Sequence, residues 1–113
     1  MSADLMLDLQ AASARLDKAV RMLRKTGTEF AEAERDYKVL LRQEALKLRD
    51  SGTAVGLIDK TVYGVREVAE ARFRRDVAEA TYKANQESIN VLKLQIRILD
   101  SQISREWSAP QPK

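Results

Sequence analysis

The chain is 113 residues long, 33% charged, 44% hydrophobic and 5% aromatic, and contains neither His nor Cys. This length fits one domain, and the two missing residue types exclude His/Cys zinc sites, Ser-His-Asp catalysis, thiol chemistry and disulfides. Lys and Arg number 20 against 17 Asp and Glu, a formal charge of +3, short of the excess expected of a dedicated nucleic-acid binder.

From the N-terminus, MSADLMLDLQ carries Asp4 and Asp8 and no basic residue before Arg15, unlike a secretory signal with its positive leading region. No apolar run approaches the roughly 18 residues that span a bilayer. A cytoplasmic protein without a membrane partner is expected.

A heptad then begins. Leu9, Leu16, Leu23, Phe30 and Tyr37 recur every seven residues, each followed three positions on by Ala12, Ala19, Thr26, Ala33 and Leu40. Alternation of large with small residues permits close helix approach, and Val20, Leu41 and Leu48 widen the stripe. A helix is predicted over residues 2–50, with Ser2 as N-cap and Asp4 in the first turn. Arg24-Lys25-Thr26-Gly27-Thr28-Glu29 resembles a helix end followed by a fresh start, but the heptad passes through Gly27 in phase. One continuous helix is the expectation.

Asp50-Ser51-Gly52-Thr53 is the clearest break in the chain, and Gly56 and Gly64 bracket an apolar stretch from Leu57 to Tyr63. A structured connector over residues 51–64 follows, with one or two helical turns. Val55, Leu57, Ile58 and Val62 are expected to plug one end of a bundle.

Residues Leu92 to Ile98 alternate as a half-buried strand would. At 100° per residue, however, Arg72, Arg75, Glu79, Gln86, Asn90, Lys93, Arg97, Asp100 and Ser104 form one polar face, which requires a helix. That helix is predicted over residues 65–107, with a disordered tail over 108–113. Val62, Val65, Ala69, Phe73, Val77, Ala80, Ala84, Val91 and Ile98 lie on one side of it and are expected to meet the first helix. A second apolar face opens at Ile89, Leu92, Ile96, Leu99 and Ile103, ending near Trp107, and is expected to meet another copy of the chain. Trp107 can cap this seam or contact a partner.

The predicted fold class is therefore all-α: a long antiparallel, coiled-coil-like helical hairpin with a short helical connector, within a single domain over residues 2–107. A lone pair of helices about 65–70 Å long encloses little core. Assembly into a multi-helix bundle, a homodimer first of all, is expected.

Among charged groups, Arg15, Lys18, Arg21, Arg24 and Lys25 surround a single Asp17. A hairpin turning near residue 57 would add Lys93 and Arg97, making a candidate phosphate or nucleic-acid contact. A plain solvated helix face is the alternative, and exposed aromatics for base stacking are missing there. Glu34 with Lys38, Glu70 with Arg74 and Glu79 with Lys83 have helix-supporting spacing. A helix-turn-helix over Leu57 to Arg74 fits poorly, because Lys60 stands where a small buried residue is wanted. Glu29, Glu32, Glu34 and Asp36 cluster on what should be an open face, and Gly52 and Gly56 lack phosphate-loop spacing. Neither enzyme activity nor a cofactor is expected.

The order Ala33-x-x-x-Tyr37, Gly52-Thr-Ala-Val55, Val62-Tyr-Gly64, Val68-Ala69, Arg72, Ala80-x-Tyr82, Ile89-Asn-Val-Leu-Lys93-Leu-Gln-Ile-Arg97 and Gln102-Ile-Ser-Arg-Glu-Trp107 resembles small helical proteins encoded by phages and prophages of Gram-positive bacteria. The likeness spans residues 30–107. It implies a bacterial cytoplasmic setting and a partner connected with phage DNA metabolism, and it assigns no functional residue. The expected function is a non-enzymatic interaction and assembly protein that self-associates through its C-terminal helix and binds a further protein. The alternatives are an accessory nucleic-acid-binding protein and a structural component of a phage particle or scaffold.

Overall fold

The computed structural model of the protein describes Ser2–Ser108. Among the described residues there is no strand, and the helices are α1 (Ser2–Asp50), α2 (Val55–Val62) and α3 (Arg66–Ser108). The fold is all-α: a hairpin of two long helices joined through a short helical connector. Predicted and observed ends differ by a residue at most for the long helices, within the scatter of helix-end assignment. Ser108, expected in the tail, closes α3. The rest of that tail and the side chain of the expected cap Ser2 lie outside the described residues.

α1 is continuous through Gly27, and packing explains the glycine. A Cβ built there would stand 3.1 Å from Cε1 of Tyr82 on α3. The missing side chain lets the Tyr82 ring lie against the α1 backbone, its centroid 6.0 Å from that of Phe30. The heptad read in α1 is the buried stripe: Ala12, Ala19, Thr26 and Tyr37 are buried, and Leu9, Leu16, Leu23, Phe30, Ala33 and Leu40 half-buried. Past Tyr37 the stripe drifts to Leu41, Ala45 and Leu48, as a 3.6-residue helix drifts from a seven-residue repeat. Val20, expected to widen the stripe, is exposed.

α1 ends in a Schellman motif. The Thr53 N–H donates to the Leu48 carbonyl at 3.0 Å and the Gly52 N–H to the Arg49 carbonyl at 3.1 Å. Gly52 takes a φ of +92°, a backbone that L side chains rarely adopt. α2 supplies two turns, and only part of its predicted plug is inside: Ile58 and Val62 are buried, whereas Val55 and Leu57 are exposed. Ile58 and Val62, four apart, share a helix face from which Leu57 points away, whereas Val55 lies towards the same side but is left exposed as the first residue of the helix. The Gly64 N–H donates to the Thr61 carbonyl at 3.0 Å and closes the turn before α3.

The chain divides into two compact units, Lys25–Lys83 and the segments before and after it. In Lys25–Lys83, Tyr37, Val62, Val68 and Ala71 form the core, lined by Leu40, Leu41, Ala45, Leu48 and Val65. In the other unit, Ala19 meets Ile89 and Leu92, flanked by Leu16 and Leu23. Within each unit a rising number on α1 faces a falling number on α3, so the helix segments run antiparallel. The buried side chains are few, and alanines are prominent among them. Full burial of a large apolar side chain contributes about 1.5–3 kcal/mol, so this core leaves little margin over the entropy of ordering the chain.

Candidate interaction surface

On α3 the residues turned inward are Val68, Ala71, Arg75, Ala78, Tyr82, Asn85, Ile89, Leu92, Ile96, Leu99 and Ile103. Their spacing alternates three and four without a slip, the coiled-coil seam. This corrects the sequence-based assignment of the two apolar faces. Ile89 and Leu92, expected at an interface between copies, are buried against α1 of their own chain, and Ile96, Leu99 and Ile103 are half-buried on the same side. Phe73, Val77, Val91 and Ile98, expected to meet α1, are exposed. The small α1 residues account for the choice: Ala19 leaves space that the long side chains at 89 and 92 fill, and Ala12 stands beside Leu99. Trp107, the remaining expected interface residue, is 76% exposed.

Two polar residues on this seam are invisible to apolar periodicity. Asn85 donates from Nδ2 to the Ala19 carbonyl at 3.0 Å. Arg75, assigned from sequence to the polar face, lies 4.7 Å from the Tyr37 ring centroid and donates to Glu34 at 3.4 Å and to Asp76 at 2.8 Å. Its pKa is raised, first by the hydrogen bond to Asp76, with burial working against it. Extending the 89–92–96–99–103 series backwards in steps of three and four passes through both residues and would have found them.

One flank of the seam in the unit that contains Ala19 is an open groove. A stretch of about 700 Å³ is lined by Arg15, Lys18, Ala19 and Met22 from α1 and by Ala84, Glu87, Ser88, Val91, Leu92 and Gln95 from α3. It shares Arg15 and Gln95 with a second stretch of about 320 Å³, lined also by Asp8, Ala11, Ala12, Ile98 and Leu99. The α1 wall sets Asp8, Arg15, Lys18 and Met22 among alanines, and the α3 wall carries Val91 and Ile98 with acidic Glu87. α3's other flank, through Gln86, Asn90, Lys93, Arg97, Asp100 and Ser104, is polar and largely exposed.

The basic residues do not gather as expected. Arg15 and Lys18 share the groove with Glu87, Arg21 pairs with Asp17, and Lys25 lies 4.0 Å from Glu29. Lys93 and Arg97 are exposed but absent from the groove lining, because at 100° per residue they leave α3 on the side away from Glu87, Val91 and Gln95. Of the expected helix pairs, Glu34–Lys38 stands at 3.5 Å and Glu79–Lys83 at 3.0 Å, while Glu70 takes Arg66 at 3.2 Å in place of Arg74.

Among the described residues, no group of three or more His, Cys, Asp or Glu is placed to hold a metal ion, and no helix is long and apolar enough to cross a membrane. No protein-family model, curated protein or solved structure matches the chain.

Proposed function

We propose that the chain is a non-enzymatic helical interaction protein that self-associates, and that its resemblance to phage and prophage proteins places it in the bacterial cytoplasm beside a further protein partner. The observation that supports self-association is the exposed apolar set Met22, Val91, Leu94 and Ile98, on the unit whose own core is thin. Burying such a set on another helix pair supplies the apolar burial that this unit lacks. Sedimentation equilibrium of the full chain at micromolar concentration tests it: a dimer mass is expected, and a stable monomer overturns the proposal. Larger particles would instead favour a scaffold component.

The alternative is an accessory nucleic-acid-binding protein using Arg15, Lys18, Arg21, Arg24 and Lys25. It draws on the exposure of all five side chains. Carboxylate pairing of Arg21 and Lys25 weakens it, since a phosphate would have to displace Asp17 and Glu29. Retention of DNA or RNA at about 50 mM salt, falling steeply as salt rises, would support it; no retention would exclude it.

A further inference from the structure

The chain ties its two compact units differently. In Lys25–Lys83 the helices are joined locally, because the Schellman motif, α2 and the turn at Gly64 all lie inside it, and the fully buried Val68 stands in its core. The other unit pairs residues 2–24 with residues 84–108, and these two segments are joined only through Lys25–Lys83. Among the described residues Ala12, Ala19, Ile89 and Leu92 are buried in it. Open cavities of about 700, 320 and 410 Å³ run along it, so its seam is incompletely covered.

This asymmetry sets an order of opening. If Lys25–Lys83 unfolded first, the pairing of Ala19 with Ile89 would have to hold closed a loop of about 60 residues on a thin core. If the other unit opens first, Lys25–Lys83 keeps both its core and its short connections.

The residues at the border suit the second route. On α1 the border falls beside Thr26-Gly27-Thr28, and threonine and glycine are weak helix formers. Once the residues before it are released, Thr28 is a ready N-cap for what remains of α1, and Glu29 stands in the new first turn, where the helix dipole favours a carboxylate. On α3 the border falls after Lys83, which leaves a cation in the last turn of the shortened helix. The helix-end pattern around Gly27, which intact α1 overrides, thus has a use in the open form.

We infer that residues 2–24 and 84–108 open together as one cooperative unit while Lys25–Lys83 stays folded, with Thr28 capping the remainder of α1. Opening uncovers Leu16, Leu23, Ile89 and Leu92, the seam of that unit. This device does not depend on the self-association proposed above.

Native-state hydrogen exchange of the full chain, read by mass spectrometry at sub-micromolar concentration so that association of copies does not mask opening, tests it. Relative to the unfolded chain, amides of residues 12–23 and 89–99 should exchange at least about tenfold faster than those of residues 37–48 and 68–78, and should share one dependence on added urea, the mark of a single opening. Equal protection of the two sets overturns the proposal, and so does protection that only falls smoothly towards the helix ends, which is fraying.

Two mild substitutions separate the states, with circular dichroism to show retained helix. Ile58 is buried in the unit that stays closed, so Ile58→Val weakens the intact and the open form alike. It should speed exchange in the 37–48 and 68–78 set by about fivefold and leave the other set unchanged. If both sets speed up alike, the chain unfolds in one step and the proposal fails. Thr28 is exposed on intact α1, so Thr28→Ala improves that helix and removes the cap of the open form. It should slow the 12–23 and 89–99 set by about tenfold and the other set by about threefold at most. Equal slowing of the two sets would deny Thr28 its role as a cap and overturn the proposal.

Discussion

The side-chain amide of Asn85 on α3 donates to the backbone carbonyl of Ala19 on α1 at 3.0 Å. Ala19 is the small residue on which Ile89 and Leu92 pack, so the bond sets the height at which those side chains meet α1. A single amide on the α3 seam of this unit, where Ile89 and Leu92 follow it, fixes register at a cost in stability, as a lone Asn does in coiled coils. Asn85→Leu should therefore raise the denaturation midpoint while relaxing register, seen as extra or broadened backbone amide resonances for residues near Ala19. Asn85→Ala should cost about 1 kcal/mol, the usual net value of one hydrogen bond. A leucine variant with one sharp set of resonances would mean that packing alone fixes the register.

Leu92 and Ile98 separate the two apolar sides of α3. Leu92 is buried against Ala19, so Leu92→Glu places a carboxylate in the seam and should cost about 3 kcal/mol or more, with loss of helical signal in urea titration. Ile98 is half exposed on the groove. Ile98→Glu should keep helicity near the wild-type level and shift the sedimenting mass towards the monomer. Equal unfolding by both substitutions would contradict the assignment of the seam.

The pairing of Gly27 with Tyr82 gives a substitution whose sign depends on a neighbour. Replacing a helical glycine with alanine ordinarily gains about 1 kcal/mol, but here the new methyl would sit 3.1 Å from the Tyr82 ring, which already packs on Phe30. Gly27→Ala should therefore gain much less in the wild-type background than in a Tyr82→Ala background. A double-mutant cycle by chemical denaturation measures the difference, and additivity of the two changes would rule out the contact.

Gly52 presents the opposite case. Nothing stands within 4 Å of a Cβ built there, but its φ is +92°. Gly52→Ala should lower stability by about 1 kcal/mol through backbone strain alone, and Gly52→Asn by less, since asparagine tolerates left-handed conformations better. Equal losses for the two variants would locate the cost elsewhere.

The hairpin was legible because its signals are local. Leu9 to Leu40 repeat in heptads, and the Ser51-Gly52-Thr53 break coincides with a Schellman motif. The phase of α3 was not, because two apolar sets compete along it and the one through Phe73, Val77, Val91 and Ile98 looks the longer. The set that packs contains Asn85 and Arg75, which any hydropathy pattern counts as interruptions. Their partners explain why polar side chains are kept there: the Ala19 carbonyl for one and the Tyr37 ring for the other. Hydropathy alone consequently puts Ile89 and Leu92 on the outer face, whereas they are buried against α1. The groove was illegible for a related reason, since it arises from the small α1 side chains set beside the correct phase of α3.

Arg75 allows the contributions of a charged seam residue to be separated. Its guanidinium stands 4.7 Å from the ring centroid of buried Tyr37, while its bond to Glu34 is long, at 3.4 Å, and Glu34 also holds Lys38 at 3.5 Å. The bond to Asp76 is short, but that carboxylate is the next residue and largely exposed, so the pair can persist in the unfolded chain and adds little to folding. Cation–π contacts contribute about 0.5–1 kcal/mol when exposed and about 2 kcal/mol when desolvated, whereas exposed ion pairs contribute less than about 1 kcal/mol. The Tyr37 contact should dominate. Coupling between Arg75→Met and Tyr37→Leu should reach about 1 kcal/mol in a double-mutant cycle, and coupling between Arg75→Met and Glu34→Gln should be less than half of that. The first should change little on adding salt, because one face of the contact is covered, and the second should shrink further. The reverse order would make Arg75 an ion-pair residue, with its place on the ring incidental.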